Sequence, residues 1–168
     1  MRYYLDTEFY EDGKTIDLIS LALVCEDGRE LYLVNQEAQL HLVSDWVRAN
    51  VLPQLPPYGD KRWVTRTNIR EQIVSFITGR PDPEFWAYYA DYDWVVFCQL
   101  FGTMIDLPSY MPKFCRDLKQ LAMDKGNPRL PKQDGGEHDA LADARWNMRI
   151  HSFLETIPTL GVPRNGGG

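Results

Sequence analysis

Two Asp-Gly dipeptides, Asp12-Gly13 and Asp27-Gly28, bracket a run of apolar residues from Thr15 to Val24. That arrangement constrains the fold more than any other feature, because Asp-Gly is a pair that tight hairpins favour. Within the run, Ile16, Leu18, Ser20, Ala22 and Val24 alternate with Asp17, Ile19, Leu21 and Leu23. Both sets turn apolar toward its end, as in a strand covered on two faces. A short aromatic strand at Tyr3 to Leu5 and another at Leu31 to Val34 complete a predicted antiparallel meander of three strands.

Helical spacing follows the meander. Leu40, Val43, Trp46, Val47 and Val51 recur at three- and four-residue steps, and Ile69, Ile73, Phe76 and Ile77 mark a second helix with Thr67 as its expected cap. Phe85 to Ala90 reads as an aromatic strand, Asp93 to Phe101 as a helix, and Arg116 to Met123 as a short amphipathic turn or two. Glu137 to Thr156, free of Pro and Gly, is the longest helical candidate. Strands followed by alternating helices predict an α/β domain with a mixed central sheet flanked by helices. A length of 168 residues suits one domain, expected over residues 1–160, with a flexible Gly-rich tail at 161–168.

Composition removes several function classes. Three cysteines with no CxxC pair argue against a disulfide framework or a zinc finger and suit a reducing, cytoplasmic setting. No apolar run approaches the roughly 18 residues of a membrane span. With 18 Lys+Arg against 24 Asp+Glu, the net charge of −6 speaks against a protein that coats nucleic acid by charge alone. What matters is where the acids gather.

Three acidic motifs stand out. Asp6-Thr7-Glu8 closes the first predicted strand, and side chains two apart on a strand share a face, so both carboxylates can converge on a hard cation. Asp93 follows an aromatic strand at a helix start, where Asp91 competes with it for either a ligand's or a cap's role. The third motif is His138-Asp139-Ala140-Leu141-Ala142-Asp143. Five helical residues would separate His138 and Asp143 by about 140° around the axis, so His138 must precede the helix for both to face one site. Asp134-Gly135-Gly136 permits such a loop, while small Ala140 and Ala144 let the helix approach the sheet closely. Asp139, one turn before Asp143, is a rival ligand. Taken singly, each motif also reads as a solvated strand end, a helix cap or acids complementing a helix dipole.

Together, Asp-x-Glu on a first strand, aromatic-Asp at a later strand–helix junction and His-x-Ala-x-x-Asp near the end resemble the DEDDh family of 3′–5′ exonucleases. Over residues 1–154 the chain is most similar in look to the small mycobacterial-type exoribonucleases, relatives of ribonuclease T and oligoribonuclease. The resemblance implies a ribonuclease H-like domain. It implies a hydrolase that releases nucleoside 5′-monophosphates from the 3′ end of single-stranded or overhanging RNA. Asp6, Glu8, Asp93 and Asp143 would hold two Mg²⁺ ions, with Mn²⁺ able to substitute, and His138 would take a proton from the attacking water. Thr7, Phe9 and Tyr89 are candidate substrate contacts, with the core as the competing place for Phe9 and Tyr89. Tyr89 stands where the commoner form of the second motif has Asn. Two basic stretches, Lys61/Arg62/Arg66/Arg70 and Lys113 through Lys132, are candidate phosphate contacts against a solvated-face alternative. A homodimer is one arrangement that relatives of this fold adopt. Competing readings are a DNA-directed exonuclease and a non-catalytic RNA- or protein-binding module on the same fold.

Overall fold

In a computed structural model, which describes residues 1–79 and 82–158, the predicted meander is present and longer than its sequence pattern implies. Strands β1 (Arg2–Glu11), β2 (Ile16–Cys25) and β3 (Glu30–Asn35) pair antiparallel in succession. A two-residue strand, β4 (Trp63–Val64), adds in parallel to β3. On the other side β5 (Glu84–Ala87) lies parallel to β1, and β6 (Arg116–Asp117) parallel to β5. The sheet order is β4-β3-β2-β1-β5-β6, a mixed six-stranded sheet. The two shortest strands carry too few residues to show alternation and were not expected from sequence. The expected tail, 161–168, lies outside the described residues, as do 159 and 160.

Helices cover both faces. On one, α2 (Arg66–Ile77) and α3 (Asp91–Gln99) pack on Tyr3, Leu5, Leu21, Leu23, Leu33 and Phe85. Ile69, Ile73 and Ile77 of α2 are each fully buried there, worth about 1.5–3 kcal/mol apiece. On the other face, α4 (Leu118–Asp124) and α5 (Ala140–Glu155) cover Tyr4, Ala22, Val24 and Trp86. Ala140 and Ala144 are fully buried, so the small residues do admit α5 to the sheet. The remaining helix, α1 (Asp45–Asn50), sits on a small cluster of Ile19, Val43, Val47 and Val51.

Several boundaries differ from the sequence expectations, each for a local reason. Leu40 to Val51 is helical only from Asp45, where the Ser44 hydroxyl caps the amide of Val47. Thr65, in extended backbone, caps α2 through the amide of Asn68, not Thr67. α3 begins at Asp91, two residues earlier than expected, and the strand before it stops at Ala87 because Tyr89 has left-handed backbone (φ 58°). Tyr89 is 63% exposed and so is not a core residue. β1 runs past Asp6-Thr7-Glu8, which lies mid-strand and not at its end, because β2 supplies partners as far as Glu11↔Ile16.

The register explains a further departure. Glu8 faces Ser20, yet Phe9 faces Leu18, so Ile19 is an extra residue in β2. This bulge breaks the alternation read from sequence: Ile16 and Leu18 pack on the α2/α3 face, while Ala22 and Val24 remain under α5. Asn35 Nδ2 donates to the Leu18 carbonyl at 2.8 Å beside the bulge. Bulges re-aim side chains, and this one lies directly across from Glu8.

Candidate active site

The fold opens a crevice at the carboxyl end of the parallel pair β1/β5. Their pairing stops at Tyr4↔Trp86, so β1 continues through Leu5, Asp6, Thr7 and Glu8 without β5 beside it. Crevices outside the carboxyl ends of parallel strands are where α/β sheets commonly bind ligands. Here the edge is met by the first turn of α3. The Thr7 amide and hydroxyl both donate to Asp93 Oδ1, at 2.8 and 2.6 Å. A carboxylate thus takes the amide hydrogen bond that a neighbouring strand would have taken.

Asp6 and Glu8, two apart on β1, share the face covered by α5, and Asp143 comes from the first turn of that helix. One carboxylate oxygen from each of the three lies within 4.8 Å of the others. Asp93 stands beside this group, 7% exposed, with Oδ1 committed to Thr7. The exposed Asp91 instead lines a separate surface cleft with Glu11, Lys14 and Val95. Asp139 caps α5 by accepting from the Ala142 amide at 2.8 Å and is not part of the three-carboxylate group.

His138 precedes α5, as the angular argument requires. Its backbone is left-handed (φ 67°), and its amide donates to Asp143 Oδ2 at 2.9 Å. The turn depends on Gly136, also left-handed (φ 74°), where an added Cβ would lie 2.9 Å from the Ala142 side chain. Asp143 is fixed a second time by Gln133, whose Nε2 donates to Oδ1 at 2.7 Å. Asn147, one turn further along α5 and fully buried, donates to the carbonyl of Leu5 at 3.0 Å, tying the helix to β1 beside Asp6.

The electrostatics are those of crowded acids. Asp6 is held well above the usual carboxylate range by loss of hydration, then by Asp93, Asp143 and Glu8. Glu8 is pushed up to about 8 by loss of hydration and then by Asp143 and Asp93. Burial also raises Asp93 and Asp143, opposed for Asp93 by the Thr7 hydrogen bonds and for Asp143 by Gln133 and the His138 amide. Converging oxygen donors whose charges raise one another fit a hard divalent cation by the chemistry of the donor set.

A cavity of about 320 Å³ joins these groups. It is lined by Asp6, Thr7, Glu8, Asp93, His138 and Asp143, and walled by Tyr88, Tyr89, Trp146 and Asn147. Of the expected substrate contacts, Tyr89 lines it, edge-on to Tyr88 at 4.7 Å. Thr7 also lines it, but its hydroxyl is engaged by Asp93. Phe9 stacks on Tyr92 with ring centroids 5.6 Å apart and leans on the core. Sequence reasoning missed Gln133, Asn147 and Trp146. Asn147 carried a readable signal, lying four residues after Asp143 on one helical face; Gln133 carried none. Of the basic stretches, Arg62 pairs with Asp60, Arg66 with Asp17 and Arg116 with Glu84, while Lys132 borders an adjoining groove that shares Tyr88, His138, Asp143 and Trp146 with the cavity.

Known proteins resemble the chain over nearly its whole length. The 3′-5′ exoribonuclease Rv2179c of Mycobacterium tuberculosis (strain H37Rv) is 48% identical over 163 residues, covering 96% of this chain and 97% of that protein. Among solved structures, S. pombe Pop2p in its Mg²⁺ and Mn²⁺ bound form aligns with a TM-score of 0.58 at 14% identity, over 92% of this chain and 81% of that one. An exonuclease I from Methylocaldum szegediense aligns with a TM-score of 0.65 at 16% identity, over 92% of this chain and 40% of that one. At such identities these two structures speak to the fold alone, a ribonuclease H-like α/β sheet. The model of the 3′-5′ exoribonuclease Rv2179c-like domain matches residues 1–154, and the chain belongs to that family.

Proposed function

We propose that the chain is a divalent-metal-dependent 3′–5′ exoribonuclease that removes nucleoside 5′-monophosphates from a single-stranded or overhanging 3′ end. The observation that carries this reading is the convergence of the Asp6, Glu8 and Asp143 carboxylates within 4.8 Å, in a chain whose family is that of 3′-5′ exoribonucleases. Asp6, Glu8, Asp143 and the oxygen that Asp93 keeps free of Thr7 would hold two Mg²⁺ ions, or Mn²⁺ in their place. When bound, such ions supply Lewis-acid activation of water and neutralise charge on the scissile phosphate.

The remaining work falls to the chain's own groups. His138 sits at the cavity, and its ring makes no hydrogen bond to the described residues, so a ring nitrogen can accept the proton of the attacking water. The His138 amide and Gln133 hold both oxygens of Asp143, fixing the carboxylate while the His138 side chain stays available. Thr7 orients Asp93 in the same manner from the opposite side. Tyr89 offers an exposed ring on which an unpaired base can stack, braced edge-on by Tyr88, while Phe9 lies against Tyr92 outside the cavity lining. A cavity of about 320 Å³ with aromatic side chains in its wall suits a frayed or single-stranded end, whose unpaired bases can stack.

The test uses a 5′-labelled RNA with a single-stranded 3′ tail, incubated with Mg²⁺, with Mn²⁺ or with EDTA, alongside a DNA strand of equal length. The expected outcome is a ladder shortening from the 3′ end, 5′-mononucleotide products, silence in EDTA and preference for RNA. Full activity in EDTA or in Asp6→Ala would overturn the metal-site mechanism; preference for DNA would favour the DNA-directed reading.

A further inference from the structure

We propose that Trp46 is a positioning residue for His138, holding the imidazole in the attitude that proton transfer requires. The inference deepens the exoribonuclease reading and rests on it. Trp46 and His138 are remote in sequence, yet their rings meet edge to face, with centroids 4.7 Å apart and planes at 78°. That is the preferred geometry for aromatic pairs, in which a positive ring edge meets a negative ring face.

His138 needs such support. It stands on a loop outside any helix or strand, at left-handed backbone, and its amide bond to Asp143 fixes the backbone and leaves the ring free to rotate. Among the described residues the aromatic partner of the ring is Trp46. A base that must meet a proton within hydrogen-bond reach loses rate steeply when it is misplaced by about 1 Å.

Trp46 is built to provide that contact. Its neighbour Val47 is anchored with Val43 and Val51 on Ile19, the residue displaced by the β2 bulge. α1 is further fixed by the Ser44 cap and by Asn50 Nδ2, which donates to the Trp46 carbonyl at 2.8 Å. The indole itself is 55% exposed and adds little to the core. Nor does it line the cavity, so its route to the chemistry runs through His138. A substrate-stacking ring would be expected inside that space.

Steady-state hydrolysis of the 3′-tailed RNA in Mg²⁺ tests the assignment with Trp46→Ala, Trp46→Phe, His138→Ala and the Trp46→Ala/His138→Ala double variant. Trp46→Ala should lower kcat about tenfold with KM within about twofold, and Trp46→Phe should recover most of the loss because a phenyl ring keeps the edge-to-face contact. In the His138→Ala background, Trp46→Ala should change nothing further, since the group it positions is gone. A raised KM with unchanged kcat, unchanged kinetics throughout, or an equal further loss without His138 would each overturn the role of Trp46. A wild-type chain that hydrolyses no RNA would overturn the exoribonuclease reading and this inference with it.

Discussion

Glu8→Gln should stabilise the cation-free protein while disabling it, which makes it a direct test of the acid cluster. In the absence of a cation the Glu8 carboxyl is pushed up to about 8 from an ordinary 4.5, first by lost hydration and then by Asp143 and Asp93. The folded state therefore binds this proton more tightly than the unfolded chain does. Its contribution to stability is fully present below about pH 4.5 and is lost as pH rises toward 8. The shift corresponds to about 3 kcal/mol lost at pH 7, which partial solvent screening reduces to on the order of 2 kcal/mol. Gln cannot ionise and escapes that loss. In EDTA at pH 7–8, Glu8→Gln should melt on the order of 4–8 °C above wild type, and the gap should close at pH 5. Urea unfolding at pH 5, 7 and 8 gives the same comparison as a free energy. Added Mn²⁺ should raise the wild-type melting temperature and leave the variant nearly unmoved, while RNA hydrolysis falls on the order of 100-fold or more. A variant less stable than wild type at pH 8 in EDTA, or a gap independent of pH, would refute the like-charge reasoning.

Other residues make separate predictions. Thr7→Val removes the 2.6 Å hydroxyl bond to Asp93 but keeps the amide bond, so stability should fall about 1–2 kcal/mol in urea titrations and kcat about tenfold, with the smaller effect on KM. Tyr89→Asn relieves left-handed strain at φ 58°, which should raise stability by about 1 kcal/mol in thermal melts while raising KM severalfold as the stacking ring is lost. His151 is buried, hydrogen-bonded to Tyr4 at 2.8 Å and packed at a tilt against Trp86, and burial lowers its pKa. The unfolded chain then binds the proton better, so stability is lost as pH falls below about 6.5. Subtracting the melting curve of His151→Phe from that of wild type across pH 5–8 should expose this slope; a flat difference would refute it.

What was legible in the sequence is what depends on short periodicities and steric rules. The Asp-Gly pairs set two hairpins, and the i, i+2 relation of Asp6 and Glu8 puts both acids on one face of a strand. His138 follows from the same kind of rule: a helix cannot bring positions five apart to one side, so the residue lies on the loop. The β2 bulge was not legible, because one extra residue leaves every local preference intact and shows only when two strands are aligned. β4 and β6 exist through their partners and carry too little sequence to announce themselves.

The separation of Asp93 from Asp91 shows the deeper limit. Both acids stand in the first turn of α3, and on helix preferences they are equivalent. What distinguishes them is that β5 pairs with β1 only as far as Trp86, leaving the Thr7 amide without a strand partner. An unsatisfied buried amide is costly, and an acid able to reach it from α3 removes that cost while being oriented by it. Asp93 lies on the buried side of the helix and Asp91 on the exposed side, so the sheet edge selects between them. Tyr89 stands in a left-handed turn, a conformation that Asn, expected there from the motif, tolerates better than Tyr. The tyrosine of this chain holds that conformation and presents an exposed ring to the cavity, where on the proposed function it would meet the terminal base.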